Sequence, residues 1–129
     1  MEREPVNLTP AEWQVMECLW DLGEATGRET TERLGKETGW SRSTTLTLLR
    51  RLEEKGAVQS GERNGKKTFL PVLRRDEAAL RETESFLRRV YNGSISLMVS
   101  SFTKNQSLSK MELDGLYALL RDMEEQKHD

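Results

Sequence analysis

The dipeptide Asn64-Gly65 is the feature that most restricts what this chain can fold into. An Asn-Gly pair favours the type I′ turn, which joins two antiparallel strands through two residues of positive φ. Val58 and its neighbours on one side, and Thr68 to Val72 on the other, supply the strands. Pro71 makes the second strand either an edge or a strand about to end. Everything around this hairpin carries helix signals, so the chain is expected to be mainly α with a small β-wing.

Three helices are expected before the hairpin. In "LTPAEWQVMECLWDLG", Thr9 is an N-cap, Pro10 suits the first helical position and Glu12 completes a capping box. Leu8 and Trp13 have the spacing of a hydrophobic staple. Trp13, Val15, Met16, Leu19, Trp20 and Leu22 form the apolar face, and Gly23 ends it. Cys18 lies at the edge of that face and reads as a small packed hydrophobe. In "ATGRETTERLGKETG" the capping-box spacing recurs at Thr26 and Glu29. Only Leu34 is strongly apolar there, helped by Ala25, Thr30 and Thr31, and Gly39 is the stop. The third helix has Ser41 as N-cap. Thr45, Leu48, Leu49 and Leu52 fall on one stripe, which leaves Ser43, Leu46, Thr47, Arg50 and Glu54 pointing away.

Helix, helix, short Gly-containing turn, helix and hairpin is the order of a winged helix-turn-helix, expected over residues 1–74. Residues 75–129 read as three further helices. The first has Asp76 as a cap, Leu80, Thr83, Phe86, Leu87, Val90 and Tyr91 as its apolar face, and Gly93 as its stop. The second follows a Ser94 cap with Ile95, Leu97, Met98, Val99 and Phe102. The third begins with Ser109, Glu112 and a Leu108–Leu113 staple, and its stripe is Leu113, Leu116, Tyr117, Leu120 and Met123. So short a helical segment hides too little apolar surface alone. It is expected to pair with a second copy through Phe86, Leu87, Val90, Tyr91, Met98, Phe102, Leu113, Leu116, Tyr117, Leu120 and Met123, as a two-fold homodimer.

Composition matters chiefly through its distribution. Net charge is −2, which by itself argues against a polyanion as partner. From Ser41 to Arg75, however, nine basic residues face three acidic ones, a net of +6, while the remainder carries −8. A basic patch on an acidic body suits local contact with DNA. Side chains in the first turns of a recognition helix must be short enough to approach base edges. Ser43, Thr44 and Thr47 can hydrogen-bond bases or phosphates, and Leu46 can meet a thymine methyl. Arg42 and Arg50 can reach phosphate or guanine, and Arg51, on the flank, a phosphate. Arg63, Lys66 and Lys67 at the hairpin tip suit phosphate or minor-groove contact.

The inventory for catalysis is poor. The lone histidine, His128, stands next to the C-terminus, Glu124 and Glu125 read as a solvated face, and there is no metal-spaced His/Cys group. An enzyme is not expected, nor a metal or any cofactor. The segment "MEREPVN" has no apolar signal region, and no run of 18 apolar residues occurs. A cytoplasmic protein without membrane insertion is expected, and its single cysteine excludes an internal disulfide framework.

"LTPAEWQVMECLWD", "WSRSTTLTLLRRLEEKG" and "SFLRRVYNGSISLMVSSF" resemble the penicillinase-repressor (BlaI/MecI/CopY) family of bacterial transcription repressors, from roughly Leu8 to Met123. The resemblance implies a winged-helix N-terminal domain, a helical C-terminal dimerisation domain and a palindromic operator in double-stranded DNA. In the β-lactam branch it also implies control of an antibiotic-resistance operon and a membrane sensor-protease whose signal ends in cleavage of the repressor. That cut falls in the fifth helix, commonly between Asn and Phe. The matching bond here is Ser101–Phe102, where Phe102 fits the pattern and Ser101 departs from it. The copper-responsive branch carries a C-terminal Cys-x-Cys pair, and this chain has no cysteine after Cys18. Resistance members often have a basic residue where Leu46 stands, so a different or shifted operator is implied. Two other readings of the same fold stay open: a regulator controlled by a small ligand or by redox at Cys18, and a winged-helix protein-interaction module.

Overall fold

The computed structural model describes residues 7–105 and 107–127. They form six helices and a three-stranded antiparallel sheet, in the order α1 (Pro10–Leu22), β1 (Ala25–Thr26), α2 (Gly27–Thr38), α3 (Arg42–Lys55), β2 (Val58–Arg63), β3 (Lys66–Pro71), α4 (Arg75–Tyr91), α5 (Ile95–Lys104) and α6 (Lys110–Lys127). They divide within α4 into two compact units, Met1–Thr83 and Glu84–Asp129. The expected boundary after Arg74 coincides with the start of that helix. Among the described residues no helix is long and apolar enough to cross a membrane. His128 lies outside the described residues.

Local chemistry sets the helix ends of the first unit. Thr9 and Thr26 both close full capping boxes, with Glu12 and Glu29 accepting from the cap backbone at 2.8 and 2.9 Å. Ser41 caps α3 by accepting from the Thr44 N–H. Gly39 ends α2 in the left-handed conformation, φ 78°, which lets the chain turn into α3. Asn64 and Gly65, at φ 54° and 78°, form the hairpin turn between β2 and β3.

Val15, Met16 and Leu19 of α1, Leu34 of α2, and Leu48, Leu49 and Leu52 of α3 form the centre of one apolar cluster. Ala25, Val58 and Phe69 bring the sheet onto it. Each such fully buried Leu contributes about 2 kcal/mol. Trp20 stands at the edge and donates its indole N–H to the Leu73 carbonyl at 2.8 Å, which ties α1 to the chain after the wing. Thr45 is fully buried, and its hydroxyl has no hydrogen-bond partner among the described residues.

Several expectations need correction. Leu22 is 40% exposed, because the apolar stripe of α1 has run out by its last turn. Pro71 does not mark an edge: the strand order is β1-β3-β2, so β3 is central and simply ends there. The strand that covers its far side is only Ala25–Thr26, paired with Phe69 and Thr68. Asp76 is not a cap but lies in the first turn of α4, where its carboxylate accepts from the Glu77 N–H at 2.9 Å.

In the second unit Ser94 caps α5, and Ser109 accepts from the Glu112 N–H at the start of α6. Tyr91 of α4 and Ser101 of α5 share a hydroxyl–hydroxyl hydrogen bond of 2.9 Å. No residue of α5 or α6 is buried.

Candidate nucleic-acid interface

The proposed reading surface is built on α3. Its buried stripe, Thr45, Leu48, Leu49 and Leu52, holds one side against the core. The other side therefore has to face outward, and Arg42, Ser43, Thr44, Thr47, Arg50 and Arg51 are all exposed. The Ser41 hydroxyl lies 3.2 and 3.0 Å from those of Ser43 and Thr44, so the first turn presents a compact group of short polar side chains. No carboxylate occurs in α3 before Glu53. A shallow groove of about 250 Å³ runs along this side, lined by Ser43, Thr44, Thr47, Leu48 and Arg51.

Leu46 differs from its neighbours. It is half-buried and packs against the core cluster, rather than pointing straight out. The reason is a neighbour on another helix. A Cβ built on Gly27 would come within 3.2 Å of the Leu46 Cδ2, so the missing side chain at Gly27 is what lets Leu46 lie over the start of α2. Only part of Leu46 remains available to a partner.

The wing brings the second set of cations beside the first. Arg63 and Lys66 face each other across the turn, and Lys67 pairs with Glu62 in the register. Arg42 of α3 and Arg63, Asn64, Lys66 and Lys67 of the wing line one open groove of about 550 Å³, whose other wall is Thr26, Gly27, Arg28, Glu29 and Glu32. Arg50 and Arg51 do not line this groove. Two of the wing cations are already paired: Arg63 donates to Glu29, and the Lys67 Nζ lies 3.2 Å from the Glu53 carboxylate. Lys67 also stands over the Phe69 ring, 5.0 Å from its centre. The backbone N–H of Thr26 and then the Arg63 guanidinium hold the Glu29 carboxyl below its usual range. The Ser60 hydroxyl and Lys67 do the same for Glu53.

Sequence reasoning missed the other members of the groove: Thr26, Gly27, Arg28, Glu29 and Glu32 as wall residues, and Asn64. Glu29 carried a usable signal, since an acid at the third position of a capped helix is fixed near that helix's start. Its pairing with Arg63 had none.

The expected dimer residues occupy α4, α5 and α6 of the second unit. Phe86, Val90, Phe102, Tyr117, Leu120 and Met123 are 39–55% exposed, and Leu87, Tyr91, Met98, Leu113 and Leu116 are half-buried. Of the expected cleavage pair, Phe102 is exposed. Ser101 is half-buried, and its hydroxyl also donates to the Met98 carbonyl at 2.7 Å.

The family model described as penicillinase repressor matches residues 8–122. The chain belongs to the penicillinase repressor family. It is 31% identical over 121 residues to the penicillinase repressor of Bacillus licheniformis, a match that covers 94% of each chain. To the methicillin resistance regulatory protein MecI of Staphylococcus aureus (strain N315) it is 25% identical over 120 residues, covering 93% of this chain and 98% of that one. Its solved neighbours include the DNA-binding domain of the repressor BlaI, with a TM-score of 0.53 at 25% identity, covering 59% of this chain and 93% of that one. The monomeric form of Bacillus licheniformis BlaI in complex with the blaP half-operator matches with a TM-score of 0.52, also at 25% identity, over 59% of this chain and 93% of that one. The family's winged-helix architecture is thus the one built here from α1 to β3.

Proposed function

We propose that this member of the family is a homodimeric transcriptional repressor that binds a palindromic DNA operator. The observation that carries the reading is the outward side of α3. It offers three arginines and three short hydroxyl side chains, all exposed and without a carboxylate before Glu53, next to a basic wing. In this reading Ser43, Thr44 and Thr47 meet base edges in the major groove, and the open part of Leu46 meets a thymine methyl. Arg42 and Arg50 meet phosphate or guanine, Arg51 meets a phosphate, and Arg63, Lys66 and Lys67 hold the flanking backbone. The relatives are repressors, and one solved neighbour is in complex with a half-operator, which fits a DNA partner better than a protein one.

Residues 1–74 would form the DNA-binding domain and 75–129 the dimerisation domain. Phe86, Val90, Phe102, Tyr117, Leu120 and Met123 of the second unit are exposed, and a second copy would cover them. Two copies related by a two-fold axis would place two recognition helices on half-sites one or two helical turns apart. Control of a β-lactam resistance type operon, with release through cleavage at Ser101–Phe102 by a membrane sensor-protease, rests on the family relation and on the exposure of Phe102. Redox control finds less support. Cys18 is 3% exposed, and burial pushes its thiol up to about 11, where the reactive thiolate is scarce.

The test is a mobility-shift and footprinting titration of the full chain on the DNA upstream of its own gene. A symmetric footprint with two chains per site is expected. Failure to prefer any palindrome there over a scrambled duplex would refute the reading.

A further inference from the structure

Arg63 and Lys66 sit on either side of the hairpin turn, yet they are electrostatically unlike. Lys66 is exposed and makes no ion pair among the described residues, whereas Arg63 is already bonded to Glu29. Glu29 does not depend on Arg63 for its position. It is locked into the capping box of α2, accepting from the Thr26 N–H at 2.9 Å while its own N–H donates to the Thr26 hydroxyl at 3.1 Å. The side chains of Glu29 and Arg63 are 49% and 42% exposed, and both face the groove that Arg42 and Lys66 also line. The pair is therefore open to an incoming anion, and its carboxylate stays where it is when Arg63 turns away.

We propose that Glu29 sets the strength of the wing's hold on DNA, as a fixed internal carboxylate that occupies Arg63 and that a backbone phosphate must displace. The proposal rests on the DNA-binding reading above. When Arg63 moves to a phosphate, it leaves a bare carboxylate beside the duplex, so the two residues together bring no net positive charge. Lys66 brings a full one. A half-exposed ion pair is weak enough for such an exchange to take place.

Glu29→Gln is a clean perturbation, because Gln also serves at the third position of a capping box. The probe is a labelled mixed-sequence duplex of about 30 base pairs, long enough to take several phosphate contacts, followed by fluorescence anisotropy across a salt series. Glu29→Gln is expected to bind about two- to five-fold more tightly at low salt. Its log–log salt dependence should be steeper by about one unit. In an Arg63→Gln background the same change should leave the salt slope unchanged. Glu37→Gln, which removes a carboxylate paired with Arg33 outside the lining of the groove, should leave the slope near that of wild type. Unchanged affinity and slope in a Glu29→Gln protein that melts like wild type would overturn the proposal. So would an equal steepening from Glu37→Gln, or a steepening that survives Arg63→Gln. Should Glu29→Gln not fold, Arg63→Gln and Lys66→Gln decide between the alternatives. Lys66→Gln should lower the slope by about one unit and Arg63→Gln by much less, and equal losses would sink the idea. If wild type binds no duplex at any salt, the DNA-binding reading fails and this proposal falls with it.

Discussion

The ion pair between Glu12 and Lys55 makes an unequal prediction for its two partners. Glu12 is 1% exposed, and Lys55 of α3 reaches it at 2.6 Å while also donating to the Asn7 carbonyl at 2.9 Å. Burial pushes the Glu12 carboxyl up, but the Lys55 ammonium and the Thr9 N–H and hydroxyl outweigh it and leave the carboxyl below its ordinary value. Glu12→Gln keeps the capping box and removes only the charge. Lys55 is a third exposed and recovers hydration, so this change should cost about 1–2 kcal/mol. Lys55→Met instead strands a carboxylate inside the protein, at about 3 kcal/mol. Thermal melts translate each kcal/mol into roughly 4–8 °C for a unit of this size. The pH dependence fixes the sign. The folded value lies below the unfolded one, so the stabilisation is present above the unfolded value of about 4.3 and disappears as pH falls through the folded value. The gap between wild type and Glu12→Gln should therefore close below about pH 4. Lys55→Met removes the two Lys55 contributions that lower the Glu12 carboxyl, so it rises relative to wild type and the penalty of Lys55→Met should shrink on mild acidification. Equal losses from the two variants at neutral pH, or a gap that persists in acid, would refute the assignment.

Three further outcomes are expected. Arg50→Ala and Lys66→Ala should each weaken DNA binding and lower its salt slope by about one unit, read by mobility-shift titration across salt. Thr45→Val keeps the side-chain shape and removes a buried hydroxyl that has no partner among the described residues, so chemical denaturation should show a gain of about 1 kcal/mol. Leu120→Glu, on the exposed stripe of α6, should turn dimers into monomers in sedimentation experiments and leave the melting of the winged-helix unit unchanged.

Much of the fold is legible because it is local. Thr9, Thr26, Ser41 and Ser94 start helices where their own side chains meet the next turn's N–H groups, and Asn64-Gly65 supplies the two positive φ values of its turn. The buried stripe of α3 follows from its 3.6-residue period alone. What stays hidden is set by residues far apart in the chain. The strand Ala25–Thr26 is too short to show alternation and exists only because Phe69 and Thr68 lie beside it. Leu46 falls next to Thr45 and Leu49 on the helix, yet its half-burial depends on the absence of a side chain at Gly27. The same division holds for the site. Each cation of the patch is visible in the sequence, but which of them is already neutralised depends on partners such as Glu29, 34 positions from Arg63.

The position of β3 between β1 and β2 has a mechanical consequence. A hairpin attached only through its own two strands could swing as a unit about its base. Here Thr68 and Phe69 are stitched to Ala25 and Thr26, and Thr26 is also the N-cap of α2. The wing is thus a cantilever clamped at the root of the helix-turn-helix. A load applied at Lys66 passes through the seam to Thr26, the N-cap of α2, so the hairpin tip and the start of α2 are mechanically linked.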